Sequence, residues 1–194
     1  MTSAKKKLGI DFDDVLIDFI THLMYFHNET YGTSFTKDHV TTWDLHDVWN
    51  ISEEEAIKRT HEFVISSQHL NIIPTNGAVE TLKRLSEKFE LIIITARDGS
   101  QSDSANQLIE KYFGTIFSSV HFLYENGVKK STKGELCKDL NIDFFVDDSI
   151  SNVKNTHEAG ITTFLFDTPW NKDFNDPDIT RVRSWKEIES ILIN

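Results

Sequence analysis

The chain has 194 residues, 39% of them hydrophobic, with 20 Lys and Arg against 31 Asp and Glu for a formal net charge of -11 at pH 7. Fourteen Phe and four Trp exclude a disordered chain, and the length suffices for one domain, or one domain with a sizeable insertion, around a real core. The acidic balance excludes tracking along a nucleic acid polymer, which needs a basic face, but not a small phosphorylated ligand, for which a metal or a few local cations override the global field.

The start, Met1 to Lys7, is basic, but only a short apolar run follows before Asp11, so neither a secretory nor a transmembrane segment is expected and no membrane partner is implied. The single cysteine, Cys137, fits a reducing cytoplasm and reads as a small buried residue on a helix. The run Leu8-Gly9-Ile10-Asp11-Phe12-Asp13-Asp14-Val15 reads as a buried strand that stops at charge. The i, i+2 spacing puts Asp11 and Asp13 on one side of an extended backbone. Carboxylates so close raise each other's pKa or recruit a cation, and hard oxygen donors suit Mg²⁺.

A helix is expected over Ile17 to Tyr31 with Gly32 as its stop, then a polar and aromatic stretch to about Ile51 holding Phe35, Trp43, Asp44, His46 and Trp49. Ser52 with Glu55 reads as a capping box opening a helix to about Ser67. Residues 18–74 thus form a mostly helical insertion over the end of the first strand. Beyond Pro74, helices are expected over Asn76 to Lys88, Ser102 to Phe113, Thr132 to Leu140, Ile150 to Ala159 and Ser184 to Leu192. Strands are expected over Phe89 to Thr95, Ser119 to Leu123, Phe144 to Asp147 and Thr162 to Phe166. Alternating strands and helices, with unbroken apolar runs such as Leu91-Ile92-Ile93-Ile94, indicate an α/β fold: a Rossmann-like parallel sheet flanked by helices, with the small helical insertion after the first strand.

In such sheets ligands collect at the carboxyl ends of strands. There stand Asp11 and Asp13, then Thr95 followed by Ala96 and Arg97, then Asp147 and Asp148, with Lys133 opening a helix between them. A terminal Thr, a Lys in a basic loop or an acidic pair is each an ordinary structural feature alone. All of them in register at strand ends point to one site.

These motifs resemble the haloacid-dehalogenase superfamily of aspartate-dependent phosphohydrolases: D-x-D-x-V as Asp11-Phe12-Asp13-Asp14-Val15, the strand ending in Thr95, the lysine Lys133, and the acids Asp147-Asp148. Within it the chain looks most like the 5'(3')-deoxyribonucleotidase-type branch, through Pro74 with Gly77-Ala78-Val79-Glu80, Glu110-Lys111-Tyr112-Phe113-Gly114, Thr95-Ala96-Arg97 and Thr168-Pro169-Trp170-Asn171. One departure is Asp14, where many members carry Gly. The resemblance implies a core of residues 1–17 and 75–194 and a helical cap of 18–74. It implies a phosphomonoesterase with Asp11 as nucleophile and Asp13 as proton donor and acceptor. Thr95 and Lys133 would hold the phosphate, assisted by backbone N–H groups of Phe12 and Asp13, with Ala96 beside it. Mg²⁺ would be bound by the Asp11 carboxylate, the Asp13 carbonyl and Asp148, with Asp147 as a ligand or a support for one. The implied substrate is a nucleoside monophosphate, turned over by a monomer or homodimer.

Other readings are a phosphatase of non-nucleotide metabolites, a phospho-accepting receiver domain, and a silent binding protein on the same fold. A receiver places its acidic pair before the Thr and Lys, whereas here Asp147-Asp148 follow both; a silent copy has no need of mutually repelling carboxylates. His22, His27, His39, His46, His61 and His69 match no compact zinc ligand set and read as satisfied or exposed side chains. Phe35, Trp43 and Trp49 read as the core of the insertion. Trp43, in the polar stretch Thr41-Thr42-Trp43-Asp44, is the candidate to stack on a substrate ring.

Overall fold

The computed structural model describes residues 4–193, so Met1 to Ser3 of the basic start lie outside the described residues, as does Asn194. Its centre is β1 (Lys6–Ile10), where Leu8, Gly9 and Ile10 are buried. The sheet has seven strands in the order β4-β3-β2-β1-β5-β6-β7. β1 lies parallel between β2 (Phe89–Asp98) and β5 (Phe144–Asp147). Strands covered on both faces need apolar side chains at every position, which is why these read as continuous hydrophobic runs. Gly9 is required by that packing, since a Cβ there would sit 2.8 Å from the Phe145 ring.

The flanks are β3 (Phe117–Glu125), β6 (Thr162–Phe166) and two short strands that periodicity did not reveal, β4 (Val128–Lys129) and β7 (Thr180–Val182). β4 runs antiparallel to β3, joined by Asn126 and Gly127, both at positive φ. That Asn-Gly pair is a hairpin signal in the sequence. β7 is held by Arg181, which donates to the carbonyls of Asn171 and Phe174 and to Asp167.

Between β1 and α4 (Ala78–Lys88) lie α1 (Phe19–Tyr31), α2 (Leu45–Trp49) and α3 (Glu53–Ile65), with 3-10 turns at Lys37–His39 and Ser67–Asn71. α1 starts two residues later than periodicity suggests because Ile17 bridges to Asp13 and Pro74. Only half of the expected capping box forms at α3: Ser52 accepts the Glu55 N–H at 3.2 Å, while the Glu55 carboxylate takes Arg59 at 2.8 Å. The chain leaves and re-enters the core side by side, through Asp18 N–H to Ile73 O (2.9 Å) and Thr75 N–H to Leu16 O (3.0 Å). Phe19, Ile20, Leu23 and Phe63 share one buried cluster with Leu8, Ile10 and Ile93 of the sheet, so these helices cover the strand ends as part of the main core. The remaining helices, α5 (Ser102–Phe113), α6 (Lys133–Asp139), α7 (Ile150–Glu158) and α8 (Trp185–Ile193), flank the sheet.

Candidate active site

The carboxyl ends of β1 and β5 are tied together by the Asp11 N–H donating to Val146 O at 2.9 Å, which sets Asp11 beside Asp147 and Asp148. Lys133 reaches them from the first turn of α6, whose entry is fixed by a complete capping box between Thr132 and Glu135. Gly134 then allows α6 to abut α7: its N–H donates to the Asn155 side chain at 2.7 Å, and a Cβ would meet Asn155 O at 2.5 Å. The buried Lys133 Nζ lies 2.5 Å from both Asp11 and Asp147.

The three carboxylates differ in what else they bind. Asp147 is the most heavily bonded, its second oxygen accepting from Ser149 N–H (2.8 Å) and the Asn152 amide (3.2 Å). Asp148 accepts on one oxygen from the Trp170 indole at 2.6 Å, and its backbone carbonyl accepts from Asn171. One oxygen from each of Asp11, Asp147 and Asp148 falls in a group whose members all lie within 4.8 Å of one another. Burial pushes Asp11 up to about 7, with Lys133 offsetting part of the rise, and burial with the Asp147 and Asp11 charges pushes Asp148 well above the carboxylate range. Although burial pulls Lys133 down, Asp11 and Asp147 hold it above the ordinary lysine range. Three buried carboxylates crowd together with one ammonium that reaches only two of them, and the donor set is oxygen throughout, which suits a hard divalent ion.

Asp13 stands half-buried at the edge of this floor, and both its oxygens take the guanidinium of Arg97, at 2.9 and 2.7 Å. Arg97 follows Thr95 on the extended end of β2, and its backbone N–H donates to the Thr95 hydroxyl at 3.1 Å. Asp11, Asp13, Lys133, Asp148, Ala96 and Arg97 open on a cleft of about 370 Å³, roofed by Phe19, Trp43 and Val64 of the helical segment. Every side chain expected at the site except the fully buried Phe12 and Thr95 and the Lys133-bound Asp147 lines this cleft.

The family model for the 5' nucleotidase, deoxy (Pyrimidine), cytosolic type C proteins (NT5C) matches residues 5–194. The chain belongs to this family. With it, the chain is a phosphomonoester hydrolase of the haloacid-dehalogenase superfamily. It is 29% identical over 196 residues to the 5'(3')-deoxyribonucleotidase of Bacillus subtilis (strain 168), covering 97% of this chain and 99% of that protein. It is 30% identical over 184 residues to the "Putative nucleotidase YqfW" of the same organism, covering 93% and 90%. Among solved structures, the haloacid dehalogenase-like family protein SP0104 from Streptococcus pneumoniae shares the fold, with a TM-score of 0.69 at 15% identity over 99% of this chain and 100% of that one.

In this NT5C-family protein Asp14 has φ 57°, the left-handed conformation that glycine takes freely and that aspartate adopts more readily than most residues. Its carboxylate turns to the N-terminus of α1, accepting the Ile20 N–H (3.3 and 3.2 Å), and takes Lys37 at 2.7 Å. Burial pushes Asp14 up to about 7, with Lys37 offsetting part of the rise. Lys37 also binds Asp18 at 2.7 Å and lies 5.5 Å from the Trp170 ring centroid. Of the three aromatics singled out from the sequence of the helical stretch, Trp49 is buried and stacked on His27 at 4.2 Å, and Phe35 is half-buried. Trp43 is 39% exposed, lines the cleft, and lies 4.9 Å from Trp170, centroid to centroid. Sequence reasoning gave no role to Arg97, Trp170, Asn171 and Lys37. Their only signals were the position of Arg97 two residues past Thr95 and the Thr168-Pro169-Trp170-Asn171 run.

Proposed function

We propose that this protein is a Mg²⁺-dependent nucleoside monophosphatase of the 5'(3')-deoxyribonucleotidase type, acting in the cytoplasm through an aspartyl-phosphate, with residues 18–74 as its cap. The observation that carries the reading is the Asp11 carboxylate, held by Lys133 at 2.5 Å at the floor of a cleft whose opposite wall carries an exposed indole. Asp11 is the nucleophile: its oxygen bonds phosphorus while the ester oxygen leaves with a proton from Asp13. Asp13 then takes a proton from the water that displaces Asp11, releasing inorganic phosphate. Lys133, the Thr95 hydroxyl and the backbone N–H groups of Phe12 and Asp13 hold the phosphate oxygens.

Asp11, Asp148 and the Asp13 carbonyl would hold Mg²⁺, which when bound neutralises charge on the phosphate and the carboxylates. The three hydrogen bonds on Asp147 favour its role as the anchor that orients Lys133. Asp11→Asn tests the reading: phosphate release from a deoxynucleoside monophosphate should disappear while the melting temperature stays near that of the wild type. Wild-type turnover by Asp11→Asn would overturn the mechanism. A screen across deoxynucleotides, ribonucleotides and sugar phosphates tests the substrate class.

A further inference from the structure

The acidic floor leaves Asp13 without a share in its cation, because Lys133 is taken up by Asp11 and Asp147. Its counter-charge comes from Arg97, 84 residues away in the chain, through two parallel N–H···O bonds. Such a fork fixes the plane of a carboxylate as well as its charge, which a lysine ammonium does not do. It also occupies only one lone pair on each oxygen and so leaves Asp13 able to meet a proton on the cleft side.

The guanidinium is itself fixed. Its carbon lies 4.9 Å from the ring centroid of Phe12 in the first loop and 5.4 Å from that of Phe19 in α1, and its side chain is 5% exposed. Its third nitrogen, Nη1, is buried without a hydrogen-bond partner among the described residues. A buried guanidinium with an unsatisfied N–H, paired to a carboxylate that is only half-buried, is a weak stabiliser of the fold. Conformational control of Asp13 gives the pair a reason that stability does not.

We infer that Arg97 is a positioning residue of this site: its guanidinium holds the Asp13 carboxylate in the orientation that takes a proton from the attacking water. The inference rests on the reading of Asp13 as the group that moves protons. The fork is made to a carboxylate, the form that acts as base, so its loss weighs most on the second half of the reaction. There water forms its bond to phosphorus, the Asp11–phosphorus bond breaks, and Asp13 receives the water proton.

The test compares Arg97→Lys and Arg97→Met with the wild type on a deoxynucleoside monophosphate and on p-nitrophenyl phosphate, whose leaving group needs little protonation. Proton transfer is worth about 10²–10⁴-fold, and misplacing rather than deleting its agent should lower kcat roughly tenfold to a hundredfold in both variants. With p-nitrophenyl phosphate the variants should release a stoichiometric burst of p-nitrophenolate before a slow steady state, and phosphorylated Asp11 should accumulate as added mass. A residue that only supports the fold gives no burst. Arg97→Lys keeps the charge and most of the volume, so it decides the matter even where Arg97→Met fails to fold. Wild-type kinetics for Arg97→Lys, or equal loss on both substrates with no phosphoenzyme, would overturn the inference. Asp11→Asn run alongside separates the cases: if it is inactive and Arg97→Lys is unimpaired, the nucleophile stands and only the role of Arg97 falls.

Discussion

The strand-end floor and the helical segment above it both bury ionisable groups, and they neutralise them by opposite means. On the floor the groups stay paired as ions: Lys133 between Asp11 and Asp147, and Arg97 on Asp13. Above it, His27 and His69 are pushed down to about 4, first by burial and then by the charges of Arg59 and Arg97. Arg59 lies 3.1 Å from His27 Nε2 and can only donate, so the proton sits on Nδ1, which donates to the Thr33 hydroxyl at 2.8 Å. One layer keeps its buried groups as ion pairs for chemistry; the other keeps its buried imidazoles neutral and offers rings, with Trp43 as the ring turned to the cleft.

Removing the cation should break the floor and spare the layer above. With excess chelator, phosphate release is expected to vanish and the melting temperature to fall, because the buried carboxylates lose their counter-charge. Metal at a hundredfold its Kd is worth about 2.7 kcal/mol. Full turnover in excess chelator would refute the Mg²⁺ dependence.

Trp43→Ala should do the reverse, sparing the floor and damaging the wall. A stacked base is worth ~1–3 kcal/mol, so kcat/KM for a nucleoside monophosphate should fall roughly tenfold or more, with a much smaller loss on a phosphate that has no ring. Trp43 also touches Trp170, which holds Asp148. Equal losses on both substrates would therefore mean that the indole serves the Asp148 side of the floor and not the substrate.

The two layers were unequally legible in the sequence. Asp11, Asp13, Thr95 and Asp147-Asp148 could be found because each sits where an apolar strand stops, a purely local pattern, and the sheet brings all strand ends to one edge. The partners that hold them could not be found that way. Arg97 meets Asp13 across 84 positions and Trp170 meets Asp148 across 22, and neither pairing leaves a periodic trace. The helical segment showed its existence through length and one capped start, and the polar stretch around Trp43 pointed to that ring but not to the contacts that fix it. Trp49 and Trp43 lie six residues apart, and it is tertiary packing that stacks the first on His27 and sets the second against Trp170 in the cleft. β7 escaped because its three residues are too few for a periodic pattern and become a strand only by pairing with β6.

His69 offers the smallest effect and the sharpest test of charge exclusion in the upper layer. Unlike His27, it has no hydrogen-bond partner on either ring nitrogen among the described residues, and it packs edge-on against Phe63 at 5.6 Å and Phe19 at 6.5 Å. Its folded pKa of about 4 lies below the ordinary 6.5, so above pH 6.5 both folded and unfolded chains carry it neutral and it imposes no pH dependence. As pH falls from 6.5 toward 4 the unfolded chain binds a proton that the folded chain refuses, and stability is lost across that window. His69→Phe removes the proton uptake and the unpaired nitrogens while keeping the ring contacts. At neutral pH the gain should be small, about 1 kcal/mol or roughly 2–4 °C in a chain of this size. The gap between variant and wild type should then widen steadily toward pH 5. Parallel melting profiles from pH 8 to pH 5 would show instead that His69 takes up its proton in the folded state, which the Arg97 charge beside it opposes.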